Sequence, residues 1–243
     1  MAEKEKVKVL IFAGGAGRRM NARSLPKQFL QVYGKPVIIH TLEHFEYHEL
    51  VDEIVIVCLK NWIDELKGML KRFGIRKVTI IVPGGKTGHK SIWEGLKAMR
   101  DTTADQDIVL IHDGVRPLIN EELIDANIRA VRKYGNAITC EAARESVVMS
   151  SNGIDIQQVP NRDFMYVAKA PQSFRFGEVY EAYEQAEKAG YQTIDSSHLY
   201  GIQKRHMHLL HSTRNNMKIT EPADFYIYKA LYEAMEAQQI YGF

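Results

Sequence analysis

The stretch most suggestive of chemistry is Ala13-Gly14-Gly15-Ala16-Gly17-Arg18-Arg19-Met20, followed by Leu25-Pro26-Lys27-Gln28-Phe29. It comes straight after an apolar run at 7–13 that reads as a first β-strand. Glycines at the carboxyl end of such a strand let backbone N–H groups approach phosphate oxygens. Arg19 and Lys27 place cations within reach, a combination that suits a triphosphate. The plain alternative is a tight turn with solvated arginines and an exposed lysine. Two familiar phosphate loops are excluded. No GxxxxGK string followed by Ser or Thr occurs. A dinucleotide fingerprint fails because Met20 holds the third glycine position and Leu59-Lys60 stands where an acid is wanted, which also removes a nicotinamide-dependent reductase.

Other candidates lie further along. Gly84-Gly85 precedes Ser91, which by itself could be a helix N-cap. Asp113 ends an apolar run at 108–111, where open α/β sheets gather ligands. A carboxylate beside phosphates acts as a Mg²⁺ or hydroxyl partner, and otherwise as a strand-end turn residue. His112 reads as a packed core histidine. His206 and His208 would share one face of a strand, but without a suitably spaced carboxylate or cysteine they read as ordinary strand residues. No Ser-His-Asp arrangement is evident.

These residues need elements to hold them. Apolar strand-like runs at 7–13, 54–59, 78–82, 108–111 and 138–140 alternate with helical patterns at 36–45, 62–73, 91–99 and 123–131. That rhythm predicts a parallel sheet covered on both faces. It then changes: residues 146–159 place apolar runs on both sides of Asn152-Gly153, a strong hairpin signal. A return to the sheet at 164–168, a helix at 176–189, a segment at 195–202, a strand at 208–211 and a closing helix from Glu221 follow. The 243 residues have no repeat or linker and suit one domain, 1–243, carrying an inserted arm at about 144–160.

Composition narrows the function classes. The formal net charge of +2 lacks the basic excess of a nucleic-acid binder, yet leaves room for a local cationic pocket. No run approaches a membrane span, and the N-terminus lacks a signal-peptide layout. Cys58 and Cys140 sit far apart in apolar runs and read as buried thiols, consistent with a reducing cytoplasm. Trp62 and Trp93 read as core or subunit contacts.

Six ordered blocks carry a family likeness: 13–20, 25–29, Gly84-Gly85 with Ser91, His112-Asp113-Gly114-Val115-Arg116-Pro117, Ala170-Pro171-Gln172-Ser173-Phe174 and Met217-Lys218-Ile219-Thr220. Together they resemble the cytidylyltransferases acting on methylerythritol 4-phosphate or ribitol 5-phosphate. The block at 25–29 and the Gly114-Val115-Arg116-Pro117 wording look closer to the ribitol branch. The resemblance implies a Rossmann-like, doubly wound, mostly parallel α/β fold with a β-hairpin arm. It also implies in-line attack of a polyol-phosphate oxygen on the α-phosphorus of CTP, releasing pyrophosphate. Such a nucleophile is already anionic, so catalysis would be positioning and charge neutralisation by cations and Mg²⁺ or another divalent cation.

By that resemblance Arg19, Lys27 and Lys218 are catalytic. Ala13, Gly14, Gly15, Gly17, Gly84, Gly85, Ser91 and Asp113 hold the nucleotide, with Asp113 also the metal ligand. Arg116, Ser146, Arg162 and Asp195 contact the acceptor, and a neighbouring subunit's arm completes the pocket of a homodimer. The product would feed cell-wall or capsule polysaccharide synthesis. Departures from the isoprenoid-branch pattern fall at Lys86, His89-Lys90, Arg144-Glu145-Ser146, Ala170 and Ile194. The acceptor is therefore ribitol 5-phosphate, methylerythritol 4-phosphate or another alditol phosphate. A nucleotide-binding paralogue without activity is the reading from another class, and the charged set Arg19, Lys27, Asp113 and Lys218 argues against it.

Overall fold

A computed structural model of the protein describes residues 4–14 and 25–241. Four parallel strands form its centre: β1 (Val7–Ala13), β4 (Glu53–Cys58), β5 (Val78–Pro83) and β6 (Ile108–Asp113). They are flanked by β7 (Asn136–Ala142), β8 (Tyr166–Arg175) and β9 (Leu209–His211), giving the order β5-β4-β1-β6-β8-β7-β9. β8 runs antiparallel to both β6 and β7, and β9 pairs with β7 in parallel. The 138–140 run is thus a strand as expected, yet it does not join β6. The longer β8 enters between them, and the Ala170–Phe174 block lies within that strand.

Period-two alternation sorts each central strand between two cores. Val7, Val9, Ile11 and Ala13 of β1 face one layer and Leu10 the other. Ile54, Ile56 and Cys58 likewise oppose Val55 and Val57, and Ile108 and Leu110 oppose Val109 and Ile111. The first layer is covered by α1 (Val37–Glu46), α2 (Ile63–Arg72) and α4 (Glu121–Tyr134). The second is covered by α3 (Gly88–Met99), α5 (Phe176–Ala189) and α6 (Ser196–Ile202). Gly95 lets α3 lie close on the sheet, because a Cβ there would stand 2.4 Å from Leu10 Cδ1. A third cluster of Val32, Val37, Val115, Leu118, Ile219 and Tyr228 docks α7 (Pro222–Tyr241) beside the loop after β6. A small antiparallel pair, β2 (Gln31–Val32) and β3 (Lys35–Pro36), went unread in the sequence.

Local chemistry sets the boundaries. Pro36, where the helical pattern at 36–45 starts, is the N-cap of α1 and the helix itself begins at Val37. Asn120 caps α4 by accepting from the Leu123 N–H at 3.1 Å, and Gly135 at φ 85° ends that helix. Ser91 is not a cap, because α3 begins three residues earlier and Thr87 caps it, accepting from the Lys90 N–H at 3.2 Å. The expected hairpin is reduced to one antiparallel bridge, Met149 with Gln158. At its tip Gly153 takes φ 71°, and Asn152 Oδ1 accepts from the Ile154 and Asp155 N–H groups. A lone two-stranded ribbon in water has too little to bury, so ladder pairing does not extend along it.

Candidate active site

The carboxyl ends of β1, β5 and β6 share one edge of the sheet, and the candidate residues gather there. The Gln28 side chain donates to the Ala13 carbonyl at 2.7 Å, tying the 25–29 block to the end of β1. Gly14 and Gly84 face each other: a Cβ on Gly84 would stand 3.3 Å from Gly14 Cα and 3.1 Å from Ser91 Oγ. A Cβ on Gly14 would meet the same Ser91 Oγ at 3.1 Å. Ser91 donates to the Thr87 carbonyl at 2.9 Å, which anchors its hydroxyl beside this glycine pair. Gly85 is locked by its neighbour, since a Cβ would stand 2.4 Å from Lys90 Cβ. The glycines thus let the end of β1, the 84–85 loop and the first turn of α3 pack against one another at the strand ends, where open α/β sheets bind ligands.

On the other side of the edge, Asp113 holds two cations. Its Oδ1 is 2.5 Å from Lys218 Nζ and its Oδ2 2.7 Å from Arg116 Nε. The Asp113 side chain is 6% exposed, against 11% for Arg116 and 39% for Lys218. Burial works to raise the Asp113 carboxyl, but Lys218 and Arg116 overcome it and hold it well below the usual carboxylate range. Arg116 also donates from Nη1 to the Asn216 carbonyl at 3.0 Å, and the Ile219 N–H donates to Val115 at 3.0 Å. Lys27 Nζ donates to the Ile219 carbonyl at 2.8 Å. Lys27, Asp113, Arg116 and Lys218, separated by up to 191 positions in the chain, thus form one connected patch.

Other expected residues fall elsewhere. Gly15, Gly17 and Arg19 lie outside the described residues. Ser146 and Arg162 are exposed on the arm, Arg162 donating to the Arg144 carbonyl at 3.0 Å, and neither joins the patch of its own chain. Asp195 caps α6: its Oδ1 accepts from the His198 N–H and the Ser197 hydroxyl, each at 2.8 Å. Its Oδ2 accepts from Gln172 Nε2 at 3.3 Å, which brings the Ala170–Phe174 block against this turn. His112 is fully buried against Phe45, and burial pushes it down to about 3. His206 and His208 both precede β9, so neither is the strand residue expected, and the His208 ring stacks on Tyr134 at 3.8 Å. Trp62 stacks on Phe29 at 4.8 Å and Trp93 packs on Tyr180 at 4.9 Å. Cys58 and Cys140 are buried free thiols, raised by burial to about 11.

Three further side chains contribute: nothing in the sequence points to Asn216, while Gln172 and His89 stand in noted strings without these roles. Asn216 is buried and donates to the Ala170 carbonyl at 2.6 Å, holding the Lys218 segment to β8. Gln172 and His89 support the Asp195 turn. A buried amide in a loop carries no pattern, whereas the odd Gly88-His89-Lys90 string was a visible signal. Among the described residues, no three His, Cys, Asp or Glu side chains cluster to hold a metal. Mg²⁺ brought in by a nucleotide takes one or two carboxylates plus phosphate oxygens and water, and Asp113 would supply one such carboxylate only once Lys218 or Arg116 turned from it to phosphate. No helix among the described residues is long and apolar enough to cross a membrane.

Residues 7–234 match the family model of IspD, 2-C-methyl-D-erythritol 4-phosphate cytidylyltransferase. The chain belongs to this cytidylyltransferase family. It is 46% identical over 234 residues to a ribitol-5-phosphate cytidylyltransferase of Streptococcus agalactiae serotype III, covering 96% of this chain and 98% of that one. Identity is 34% over 231 residues to a 2-C-methyl-D-erythritol 4-phosphate cytidylyltransferase of Clostridium botulinum, covering 95% and 99%. The fold matches the crystal structure of 4-diphosphocytidyl-2C-methyl-D-erythritol synthase from Anaerococcus prevotii with a TM-score of 0.81 at 29% identity, covering 94% and 96%. The expected class, a mostly parallel α/β sheet bearing an arm, accords with that likeness.

Proposed function

We propose that this cytidylyltransferase moves the cytidylyl group of CTP onto ribitol 5-phosphate, releasing pyrophosphate. The observation that carries the choice of acceptor is the difference between 46% identity to a ribitol-phosphate enzyme and 34% to a methylerythritol-phosphate enzyme. In this reading the whole chain works as one nucleotidylyltransferase domain, in the cytoplasm. Ala13, Gly14, Gly15, Gly17, Gly84 and Gly85 offer backbone to the nucleotide, and Ser91 a hydroxyl beside them. The acceptor oxygen is anionic near neutral pH and needs no base. Arg19, Lys27 and Lys218 neutralise charge building on the phosphoryl oxygens, each such contact worth about 3–4 kcal/mol. Asp113 keeps Lys218 and Arg116 at the edge until phosphate oxygens compete for them, and it would hold Mg²⁺. That ion, when bound, supplies further neutralisation of phosphate charge.

The acceptor side takes Arg116 and the Asp195 turn from one chain, with Ser146 and Arg162 from a second copy. Support for the second copy is the exposed apolar side chains of the arm, Met149, Ile154, Ile156 and Val159, and of Phe164 just beyond it, which all face solvent in the single chain. A homodimer would cover them. The experiment is incubation with CTP, Mg²⁺ and ribitol 5-phosphate, followed by phosphate NMR. Pyrophosphate and CDP-ribitol are expected. No turnover with any of ribitol, glycerol and methylerythritol phosphates would overturn the reading and return the inactive paralogue.

A further inference from the structure

The first turn of α3 carries two sets of contacts that point in different directions. Ser91 faces the Gly14–Gly84 pair. His89, two residues earlier and fully buried, faces the other way, its ring centroid 4.7 Å from that of Tyr183 on α5. His89 Nδ1 accepts from the Thr193 N–H at 3.4 Å and lies 3.1 Å from Thr193 Oγ1. That hydroxyl donates to the Asp195 carbonyl at 3.0 Å. With Nδ1 the acceptor, the ring N–H sits on Nε2, which lies 3.5 Å from Glu187 Oε1 at the end of α5. Lys90 Nζ pairs with the other oxygen of Glu187, and Thr87 Oγ1 donates to Gln192 Oε1 at 2.8 Å.

A histidine that merely filled space would require only apolar neighbours. Here its Nδ1 accepts from the N–H of Thr193, a residue 104 positions away whose hydroxyl in turn holds the Asp195 carbonyl, and the capping residue and Lys90 reach the same 187–195 stretch. Gly85 is packed onto the stem of that Lys90. A helix turn is stiff, so displacement of the glycine loop is passed to whatever His89 grips. We propose that His89 is a positioning residue: through Thr193 it fastens the Asp195 turn to the Gly84-Gly85 loop, so that seating the nucleotide sets the acceptor-side geometry. The assignment of that turn to the acceptor rests on the function proposed above. The mechanical link does not.

The test reads the link without turnover. Backbone hydrogen exchange is followed on the full-length protein with and without CTP. Added protection is expected both at 84–91 and at 192–198. Thr193→Val and His89→Leu should keep the first and lose the second, while Thr193→Ser and His89→Asn, which retain the polar partner, should keep both. In turnover assays the two disruptive variants should raise KM for ribitol 5-phosphate about tenfold, within the usual range of coupling between sites, and leave KM for CTP within about twofold. Thr193→Val carries the test if His89→Leu does not fold. Absence of CTP-induced protection at 192–198 in the unaltered protein, or its persistence in Thr193→Val, overturns the proposal. If CTP binds but no polyol phosphate reacts, the proposed acceptor fails while the exchange result still judges the link.

Discussion

Replacing Asp113 by asparagine keeps the side chain's shape and removes the one negative charge that Arg116 and Lys218 share. The two cations respond differently. Lys218, 39% exposed, can turn towards water, so its lost partner costs little. Arg116 is 11% exposed and is also held by the Asn216 carbonyl, so it stays where it is. At 2.7 Å and an effective dielectric near 20 its gross attraction to Asp113 is about 6 kcal/mol. Breaking a buried pair from one side costs about 3–5 kcal/mol, and the lower end applies because only one cation is stranded. For a chain this long, about 3 kcal/mol lowers Tm by about 6–12 °C. The folded Asp113 carboxyl lies below its unfolded value near 4, so its contribution is complete above that pH and is lost only as pH falls through the folded value. Thermal unfolding at pH 7 therefore reads the whole effect. Adding Arg116→Met to Asp113→Asn should recover part of the loss. A Tm within about 2 °C of the unaltered protein, by the same arithmetic about 0.5–1 kcal/mol, would refute the pairing.

Gly85→Ala should weaken CTP binding by about tenfold or more, because its Cβ would meet Lys90 at 2.4 Å, whereas Gly88→Ala, with open space around it, should not. Isothermal titration with CTP separates the two. Burial lowers the pKa of His40, His44 and His112, the last to about 3, so all three take up protons more readily unfolded than folded. Their stabilisation is complete above about 6.5 and is lost as pH falls below it. Urea midpoints should drop over that acid window, and His44→Gln, which keeps a donor for the Pro117 carbonyl, should flatten the drop. Ile154→Asp with Ile156→Asp, on the exposed arm, should shift a dimeric mass at micromolar concentration to the monomer; sedimentation of the unaltered chain as a monomer would contradict the arm's proposed role.

The parallel core was legible because strands buried on both faces spell themselves out as apolar runs, and β1, β4 and β6 all do so. The order of β6, β8 and β7 was not, since nothing in the 164–168 run announces that β8 continues through Ala170–Phe174 and slots in antiparallel. In the site, the glycines and Asp113 were readable from type and position at strand ends. What pairing decides was hidden: Arg116 and Lys218 turn inward to one carboxylate, and Asp195 caps a helix. His89 showed only as an unusual string, because its partner Thr193 arrives through folding. The +2 net charge likewise says nothing of the cations Lys27, Arg116 and Lys218 gathered on one strand edge.

The selectivity of this edge decides between ribitol 5-phosphate and methylerythritol 4-phosphate as the acceptor. Its most direct measurement is the ratio of kcat/KM for ribitol 5-phosphate to that for methylerythritol 4-phosphate, with saturating CTP and Mg²⁺. A site that hydrogen-bonds one polyol discriminates by about 10⁴ or more against an analogue that leaves its polar groups unpaired, and a ratio of that order favouring ribitol is expected. A ratio near one, or one favouring methylerythritol 4-phosphate, would contradict the account.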